Sequence, residues 1–382
     1  MKFIMEYKVK EIKKGIKLHL IRNEKFKTNL VSVFLTTYLN RENITKNSLI
    51  PAVLRRGSKN MPTQEDISTK LEEMYGASFN CGIDKRGDNQ VLKFYIEAIN
   101  SKFLPQDAEN ILDETIANLL EIVFNPLIED NAFLKTYVEQ EKVNVAQLID
   151  GKMDNKARYA VDRCIEEMYR NKPYSLYKYG YKEDLDNIDE KSLYKYYKDL
   201  LNTCKIDIFV SGIIDEQISD RICKMPEIQN LNDRNAIFNM SNLQENINNN
   251  EQIINEAMDV TQGKLVLGLN LDIKDENMQY VALVYNEILG GSANSRLFQN
   301  VREKASLAYV ASSSYVKIKN NIIINCGIEI KNYDKALKLV RDQLEELKSG
   351  KFSENDVDTA KKCLISNIKI IDDEQDTEIM YF

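Results

Sequence analysis

Apolar residues along the chain follow two periods, every second residue in some stretches and every third or fourth in others. The first period is typical of half-buried β-strands and the second of amphipathic helices. Helical spacing is clear at Gln64–Tyr75, where Ile67, Leu71 and Met74 form one apolar stripe. The first half is predicted to contain, in order, strands at 14–21 and 28–39, helices at 47–55 and 64–75, strands at 77–83 and 90–99, helices at 106–124, 130–169 (with a break near Gly151) and 190–201, and a strand at 205–212.

The same order of elements returns in the second half of the chain. A predicted strand is followed by a predicted helix that ends at Gly290-Gly291-Ser292. The first half has Arg56-Gly57-Ser58 at the corresponding position. The repeat continues as a helix at 296–308, strands at 310–317 and 322–330, and helices at 333–349 and 353–371. A repeat of this length indicates duplication. We therefore predict an α+β fold of two homologous domains, each a mixed, mostly antiparallel sheet with helices packed on one face.

The stretch 225–251 separates the two halves and is polar and rich in asparagine. Such a composition is typical of a linker with little structure of its own. The predicted domains are therefore 1–224 and 252–382. The second half ends at Phe382, before any counterpart of the helix and strand at 190–212. We expect the natural chain to continue; the alternative is a second sheet with one strand fewer.

Composition narrows the function classes. The chain has 382 residues, 43% hydrophobic and 29% charged, with a net charge of −7. The negative charge argues against general nucleic-acid binding, and no segment reaches the ~18–20 apolar residues that cross a bilayer. The six cysteines show no C-x-x-C pairing, and the N-terminus is charged without a secretory pattern. We expect a cytoplasmic protein with reduced thiols, without nucleic-acid or membrane partners.

Arg302 and Tyr309 are the candidate binding residues of the second half. They stand seven residues apart in a predicted helix that follows the glycine turn, so two helical turns would bring them to nearly the same face. A planar guanidinium beside a phenol can hold a peptide carbonyl or a carboxylate. The alternative is a solvated arginine beside Glu303 and a half-buried tyrosine.

The stretch from Gly290 to Tyr309 resembles the C-terminal half of the insulinase, pitrilysin and mitochondrial-processing-peptidase family of inverzincins. There a glycine turn is followed by S-R-L-F, V-R-E-K and L-A-Y, which occur here at 295–298, 301–304 and 307–309. In that family an Arg and a Tyr at this separation help to hold the substrate backbone. The resemblance therefore implies that Arg302 and Tyr309 bind substrate.

The family's zinc motif, H-x-x-E-H, is degenerate in this chain. Two histidines on one helix face bind the metal, and the glutamate acts as general base toward the metal-bound water. Alignment on Gly57-Ser58 places Ser48, Pro51 and Ala52 at the His, Glu and His positions. His19 is the only histidine of the chain, so a two-histidine zinc site cannot be built in it. Glu139 matches the position of the third ligand, and on its own it is most simply a solvated helix residue.

Inactive chains of this family pair with zinc-bearing ones, and the inactive chain contributes the Arg/Tyr pair. The resemblance thus implies the non-catalytic subunit of a heterodimeric zinc peptidase, with no cofactor in this chain, zinc in the partner, and a peptide or protein substrate. The segment 49–57 resembles non-catalytic members from low-GC Gram-positive bacteria, associated by name with elongation factor P modification. The alternatives are a structural or peptide-binding scaffold without a peptidase partner and an independent enzyme with unfamiliar residues.

Overall fold

The computed structural model describes residues 6–105, 110–234, 251–371 and 373–381. The strands are β1 (Glu6–Lys13), β2 (Ile16–Arg22), β3 (Thr28–Tyr38), β4 (Ser78–Arg86), β5 (Asn89–Ile99), the short β6 (Ile128–Glu129) and β7 (Ala132–Phe133), β8 (Lys205–Gly212), β9 (Gly263–Asn270), β10 (Ala308–Val316) and β11 (Asn321–Ile328).

The α-helices are α1 (Ile44–Leu54), α2 (Gln64–Glu73), α3 (Ile111–Phe124), α4 (Lys135–Asp150), α5 (Lys156–Met168), α6 (Lys182–Leu185), α7 (Glu190–Thr203), α8 (Ile218–Lys224), α9 (Pro226–Gln229), α10 (Glu276–Asn286), α11 (Tyr333–Lys348), α12 (Glu354–Ile371) and α13 (Gln375–Tyr381). Among the residues that the structure describes, Glu287–Gly291 and Leu297–Lys304 are π-helical. No helix in the described part of the chain is long and apolar enough to span a membrane.

A six-stranded sheet in the order β1-β2-β8-β3-β5-β4 forms the centre of the first unit. Its neighbours run antiparallel except for the parallel pair β2 and β8. Side chains alternate along β3, so Val31, Val33 and Leu35 belong to a core shared with α1, α3 and α7. Leu30 and Phe34 face the other way and belong to a smaller cluster.

The sheet of the second unit is built in the same way. Its strands β10, β11 and β9 lie in that order and pair antiparallel. Along β11, Ile322, Ile324 and Cys326 enter the core shared with α11 and the π-helical segments, whereas Ile323 faces the opposite side. Together with the relatives reported below, this architecture confirms the predicted fold class of two α+β halves.

Each unit also contains one helix from the other half of the sequence. The first unit comprises the described residues of 6–150, 176–234 and 374–381, and the second those of 151–175 and 251–373. The α5 residues Ile165 and Met168 pack with Ile323. Ile379 of α13 packs with Phe34 and Phe209. The boundaries of these two units thus differ from the predicted domains 1–224 and 252–382. The reason is that the apolar sides of α5 and α13 each cover a sheet face formed by the other half of the sequence.

Several local predictions need correction. The stretch 225–251 contains the short helix α9, while 235–250 lies outside the described residues. Helix α1 begins at Ile44 and carries Pro51 near its C-terminal end, although an internal proline costs ~3 kcal/mol. Nine of the eleven α1 residues are buried, and their packing compensates for that loss. Strand β1 was not predicted.

His19 is a structural residue of β2. Asp207 accepts a hydrogen bond from its Nε2 at 2.9 Å, and the Tyr7 hydroxyl donates to its Nδ1 at 2.7 Å. The ring stacks on Phe209 with centroids 4.2 Å apart, and Lys205 forms an ion pair with Asp207 at 3.0 Å. Burial alone raises the pKa of Asp207, but the hydrogen bond from His19 and the charge of Lys205 outweigh it and hold that pKa below its usual value.

A second buried ion pair fixes α1 against α4. Arg56, just after α1, pairs through its Nε with Glu141 of α4, whose carboxylate is almost completely buried. The Asn144 side-chain amide donates a further hydrogen bond to Glu141 at 3.0 Å. Because a buried carboxylate without a cation is strongly unfavourable, the two side chains depend on each other.

Asp207→Asn should lower the free energy of unfolding by about 1–3 kcal/mol at neutral pH, because a charged hydrogen-bond acceptor is lost. The native pKa of Asp207 is depressed, so its stabilisation is present above its unfolded pKa and is lost as the pH falls through the native value. The difference between wild type and variant should therefore shrink in acid when urea unfolding is followed across pH. Asp186→Asn, which changes an exposed aspartate, serves as control. If the difference in unfolding free energy between wild type and Asp207→Asn did not change with pH, the stabilising role of the Asp207 carboxylate would be contradicted.

Arg56→Met should destabilise the chain by about 2–3 kcal/mol, because it leaves the Glu141 carboxylate buried without a cation. The double variant Arg56→Met/Glu141→Met should recover part of this loss. A double-mutant cycle from urea unfolding measures the coupling. Lys182→Met, which removes the exposed pair with Asp150, should cost no more than about 1 kcal/mol. Equal costs for Arg56→Met and Lys182→Met would show that burial of the pair is unimportant.

Candidate functional site

The three degenerate motif positions lie on α1, as the sequence places them, but their groups are used inside the fold. The Ser48 hydroxyl is buried and donates to the carbonyl oxygens of Ile44 and Lys178, both at 3.3 Å. The Pro51 carbonyl accepts a hydrogen bond from Cys81 Sγ at 3.4 Å. Ala52 contributes only a methyl group, which packs against the core.

A hydrogen-bond network holds the chain around Lys178 over this part of α1. The Gln90 side-chain amide on β5 donates to the Lys178 carbonyl at 2.7 Å and to the Ile44 carbonyl at 3.2 Å. Its Oε1 accepts from the Asn47 amide at 2.8 Å, and Asn47 in turn accepts from the Tyr196 hydroxyl at 2.8 Å. The space beside the motif positions is thus occupied by this chain's own polar groups.

The acidic residue of α4 that pairs with Arg56 is Glu141, whereas Glu139, the sequence match to the third ligand, is solvated. Glu139 is 51% exposed at its side chain and pairs with Lys142 at 3.1 Å. The buried positions of α4 are Val138, Glu141 and Val145. These positions follow helical spacing, so the sequence period of α4 could have indicated that Glu141 is buried.

These residues do not fit a zinc ion. A hydroxyl bonded to two carbonyls, a proline and a methyl group offer none of the imidazole, thiolate or free carboxylate ligands that zinc prefers. Burial raises the pKa of the nearby Cys81 to about 11, so this sulfur stays a thiol. Across the described ranges, no group of three or more His, Cys, Asp and Glu side chains could hold a metal ion. We therefore derive no metal-dependent step within this chain.

Arg302 lies in the π-helical segment Leu297–Lys304 of the second unit. Its guanidinium stacks over the Phe298 ring at 4.4 Å and lies 3.6 Å from the Glu303 carboxylate. The side chain is 41% exposed. A partly exposed guanidinium held over an aromatic ring keeps donors available for a further acceptor.

Tyr309 lies on strand β10 and not on the helix that carries Arg302. The premise that two helical turns align them is wrong, because the helix ends at Lys304 and Ser306 takes a left-handed φ of 51°. Pairing between β10 and β11 shifts register between Ala308 and Val310, so Tyr309 is the extra residue of a β-bulge. Bulges redirect side chains, and Tyr309 is 62% exposed.

The surroundings of Tyr309 are open to an extended ligand. In the described part of the chain, β10 pairs with β11 alone, so its other edge keeps backbone groups without a strand partner. Tyr309 also borders a groove of about 570 Å³. The other residues lining it are Thr261, Gln262, Glu329, Ile330 and Lys331. Arg302 and Tyr309 make no hydrogen bond to each other within the described residues, but the Arg302 segment packs directly on β10.

Comparison with known proteins places these features in a family. Residues 187–364 match the family described as the peptidase M16 inactive domain. The chain is 34% identical over 370 residues to the Bacillus subtilis protein "Probable inactive metalloprotease YmfF". This match covers 96% of this chain and 85% of that protein. The chain is 24% identical over 319 residues to the "Uncharacterized zinc protease YmxG" of the same organism, covering 81% of this chain and 75% of that protein.

Solved structures share the fold. A conserved protein from Enterococcus faecalis V583 superposes with a TM-score of 0.82 at 29% identity, covering 98% of this chain and 88% of that chain. The peptidase M16 inactive domain from Pseudomonas fluorescens gives a TM-score of 0.72 at 18% identity, covering 96% and 84% of the two chains. The family resemblance found in the sequence is therefore confirmed, and the chain belongs to the peptidase M16 family as one of its inactive members.

Proposed function

We propose that this chain is the non-catalytic subunit of a heterodimeric zinc peptidase. The partner, a zinc-bearing member of the same family, supplies the H-x-x-E-H motif, and its zinc activates the attacking water. This chain closes the chamber around the substrate and binds the peptide backbone through Arg302 and Tyr309. We place the pair in the cytoplasm, in keeping with the six free thiols.

One observation carries the proposal. The motif positions Ser48, Pro51 and Ala52 are committed to packing and internal hydrogen bonds, whereas Arg302 and Tyr309 remain partly exposed beside an open strand edge. A chain with this combination retains groups suited to holding a peptide and has no zinc ligand at the three motif positions. Holding the substrate for a catalytic partner uses both properties.

The edge of β10 suggests how a peptide would bind. An extended segment can add to an exposed strand edge, gaining affinity from backbone hydrogen bonds and specificity from side-chain pockets. The bulge at Tyr309 interrupts the ladder at one end of β10. In this binding mode the Tyr309 hydroxyl and the Arg302 guanidinium hold carbonyl oxygens of the peptide, and the groove at Thr261 and Lys331 receives a side chain.

The names of the relatives support a division of labour. Bacillus subtilis contains both a relative named as an inactive metalloprotease and one named as a zinc protease. Chains of both kinds thus occur in one organism. A zinc-bearing relative in the source of this chain would provide the missing metal centre.

Affinity purification of the full chain from its native host should recover a second protein of the same family that contains H-x-x-E-H. Because the metal belongs to the partner, the eluate should hold about one zinc per pair. Mass spectrometry and metal analysis of the eluate check this result. A zinc-free eluate without such a protein, reproduced at low salt, would favour a scaffold that acts without a peptidase partner.

Arg302→Ala should lower kcat/KM of the assembled pair by about tenfold or more, because a charged hydrogen bond to the substrate is lost. Tyr309→Phe should reduce it by a smaller factor, since only one hydroxyl is removed. Arg341→Ala is the matched control, because Arg341 is an exposed arginine of α11 paired with Glu251. The thermal stability of each variant should equal that of the wild type. An unchanged kcat/KM for Arg302→Ala would remove the assigned role.

A further inference from the structure

A cavity of about 320 Å³ lies in the second unit, between the π-helical turn Glu287–Gly291 and the start of α12. It is separate from the groove at Tyr309, since the two share no lining residue. Its volume is at the lower end of the range for small-ligand pockets. It therefore suits a compact ligand about the size of an amino-acid side chain.

A buried glutamate with one unpaired oxygen lines this cavity. Glu287 is only 5% exposed, and its Oε1 accepts no hydrogen bond. Its Oε2 lies so close to Gly291 that a Cβ there would approach it to 2.3 Å. Burial raises the pKa of Glu287, and the Ser292 hydroxyl offsets this only in part. Buried polar atoms almost always have partners, so this oxygen marks a place where a donor is missing.

The arginine that also lines the cavity is committed elsewhere. Arg296 Nη2 donates to the Lys351 carbonyl at 2.9 Å and to Asp356 Oδ2 at 3.3 Å. Asp356 and Arg296 therefore neutralise each other, and Arg296 is not available as a counter-ion for Glu287. The other polar groups of the lining can accept hydrogen bonds. These groups are the side chains of Ser292, Asn294, Asn355 and Thr359.

The first half of the chain shows how a buried acid beside this turn is satisfied. There Arg56 precedes Gly57-Ser58 and neutralises Glu141. In the repeat, Gly290 takes the position of Arg56. A Cβ on Gly290 would approach the Ser313 amide nitrogen to 2.5 Å, so no side chain fits there. The second half therefore has a buried glutamate beside the turn and no arginine at the corresponding position.

We propose that this cavity binds a small organic cation, a primary ammonium or guanidinium group, with Glu287 as its counter-ion. The ligand's N–H groups donate to the Glu287 carboxylate and to the surrounding hydroxyl and amide oxygens. A free amine or guanidine and the basic side chain of a peptide carry the same chemistry. This site is independent of the substrate contacts assigned to Arg302 and Tyr309.

The test uses the full chain labelled in the Ile and Ala methyl groups and followed by NMR. The n-propylguanidinium ion should shift the methyl signals of Ile288 and Ala360, which line the cavity. The neutral isostere n-propylurea should bind about tenfold more weakly or worse, because it carries no charge to pair with Glu287. A blocked Gly-Arg-Gly peptide, compared with its citrulline analogue, distinguishes a basic side chain from a free small molecule as the natural source.

Glu287→Gln keeps the shape of the side chain and should weaken propylguanidinium binding by about tenfold or more. Glu345→Gln changes an exposed glutamate of the same unit and should leave binding unchanged. If Glu287→Gln fails to fold, the preference of the wild-type chain for the cation over the urea decides. Equal binding of propylguanidinium and propylurea, binding unaffected by Glu287→Gln, or no methyl shift with either probe would overturn the proposal.

Discussion

The first unit depends on the burial of α1, because its polar side chains lose contact with water and need partners inside the protein. Thr45 donates to Asp184 at 2.5 Å, and Asn47 and Ser48 bond to Gln90 and to the Lys178 carbonyl. These partners lie on β5, on α6 and on the chain leading into α6, so the hydrogen bonds hold α6 and that chain against the helix. The fit is close at Gly180, where a Cβ would meet the Thr45 hydroxyl at 2.1 Å and φ is +79°.

These contacts hold α1 in place with Ser48, Pro51 and Ala52 at the positions that the alignment assigns to the zinc motif. In that motif the two histidines would bind the metal and the glutamate would act as general base. Here Ser48 reaches a carbonyl of the covering chain, and the pair of Arg56 with Glu141 joins α1 to α4. Internal hydrogen bonds and one ion pair thus connect elements that a metal site would otherwise connect. Helix α1 is thus held by packing and by internal polar contacts.

The sequence predicted what depends on local periodicity and missed what depends on distant contacts. Strand 205–212 was predicted with its observed bounds, since its apolar residues are buried in the middle of the sheet. The exchange of α5 and α13 could not be predicted, because the apolar side of α5 does not reveal that it packs with Ile323. The predicted helix that contains Arg302 extends beyond the observed end at Lys304, because the local sequence does not indicate that Ser306 adopts a left-handed conformation. The candidate residues were found by resemblance, and their geometry only by the structure.

The geometry of Arg302 and Tyr309 bears on why a chain without zinc would keep them. Arg302 is held by the Phe298 ring, and Tyr309 is redirected by a bulge that follows the turn at Ser306. Both positions are set by backbone conformation and packing within the second unit. The motif positions Ser48, Pro51 and Ala52 belong to the first unit. In the proposed pair, hydrolysis and substrate holding can then reside on different chains, because the structural requirements of the two sites are separate from the start.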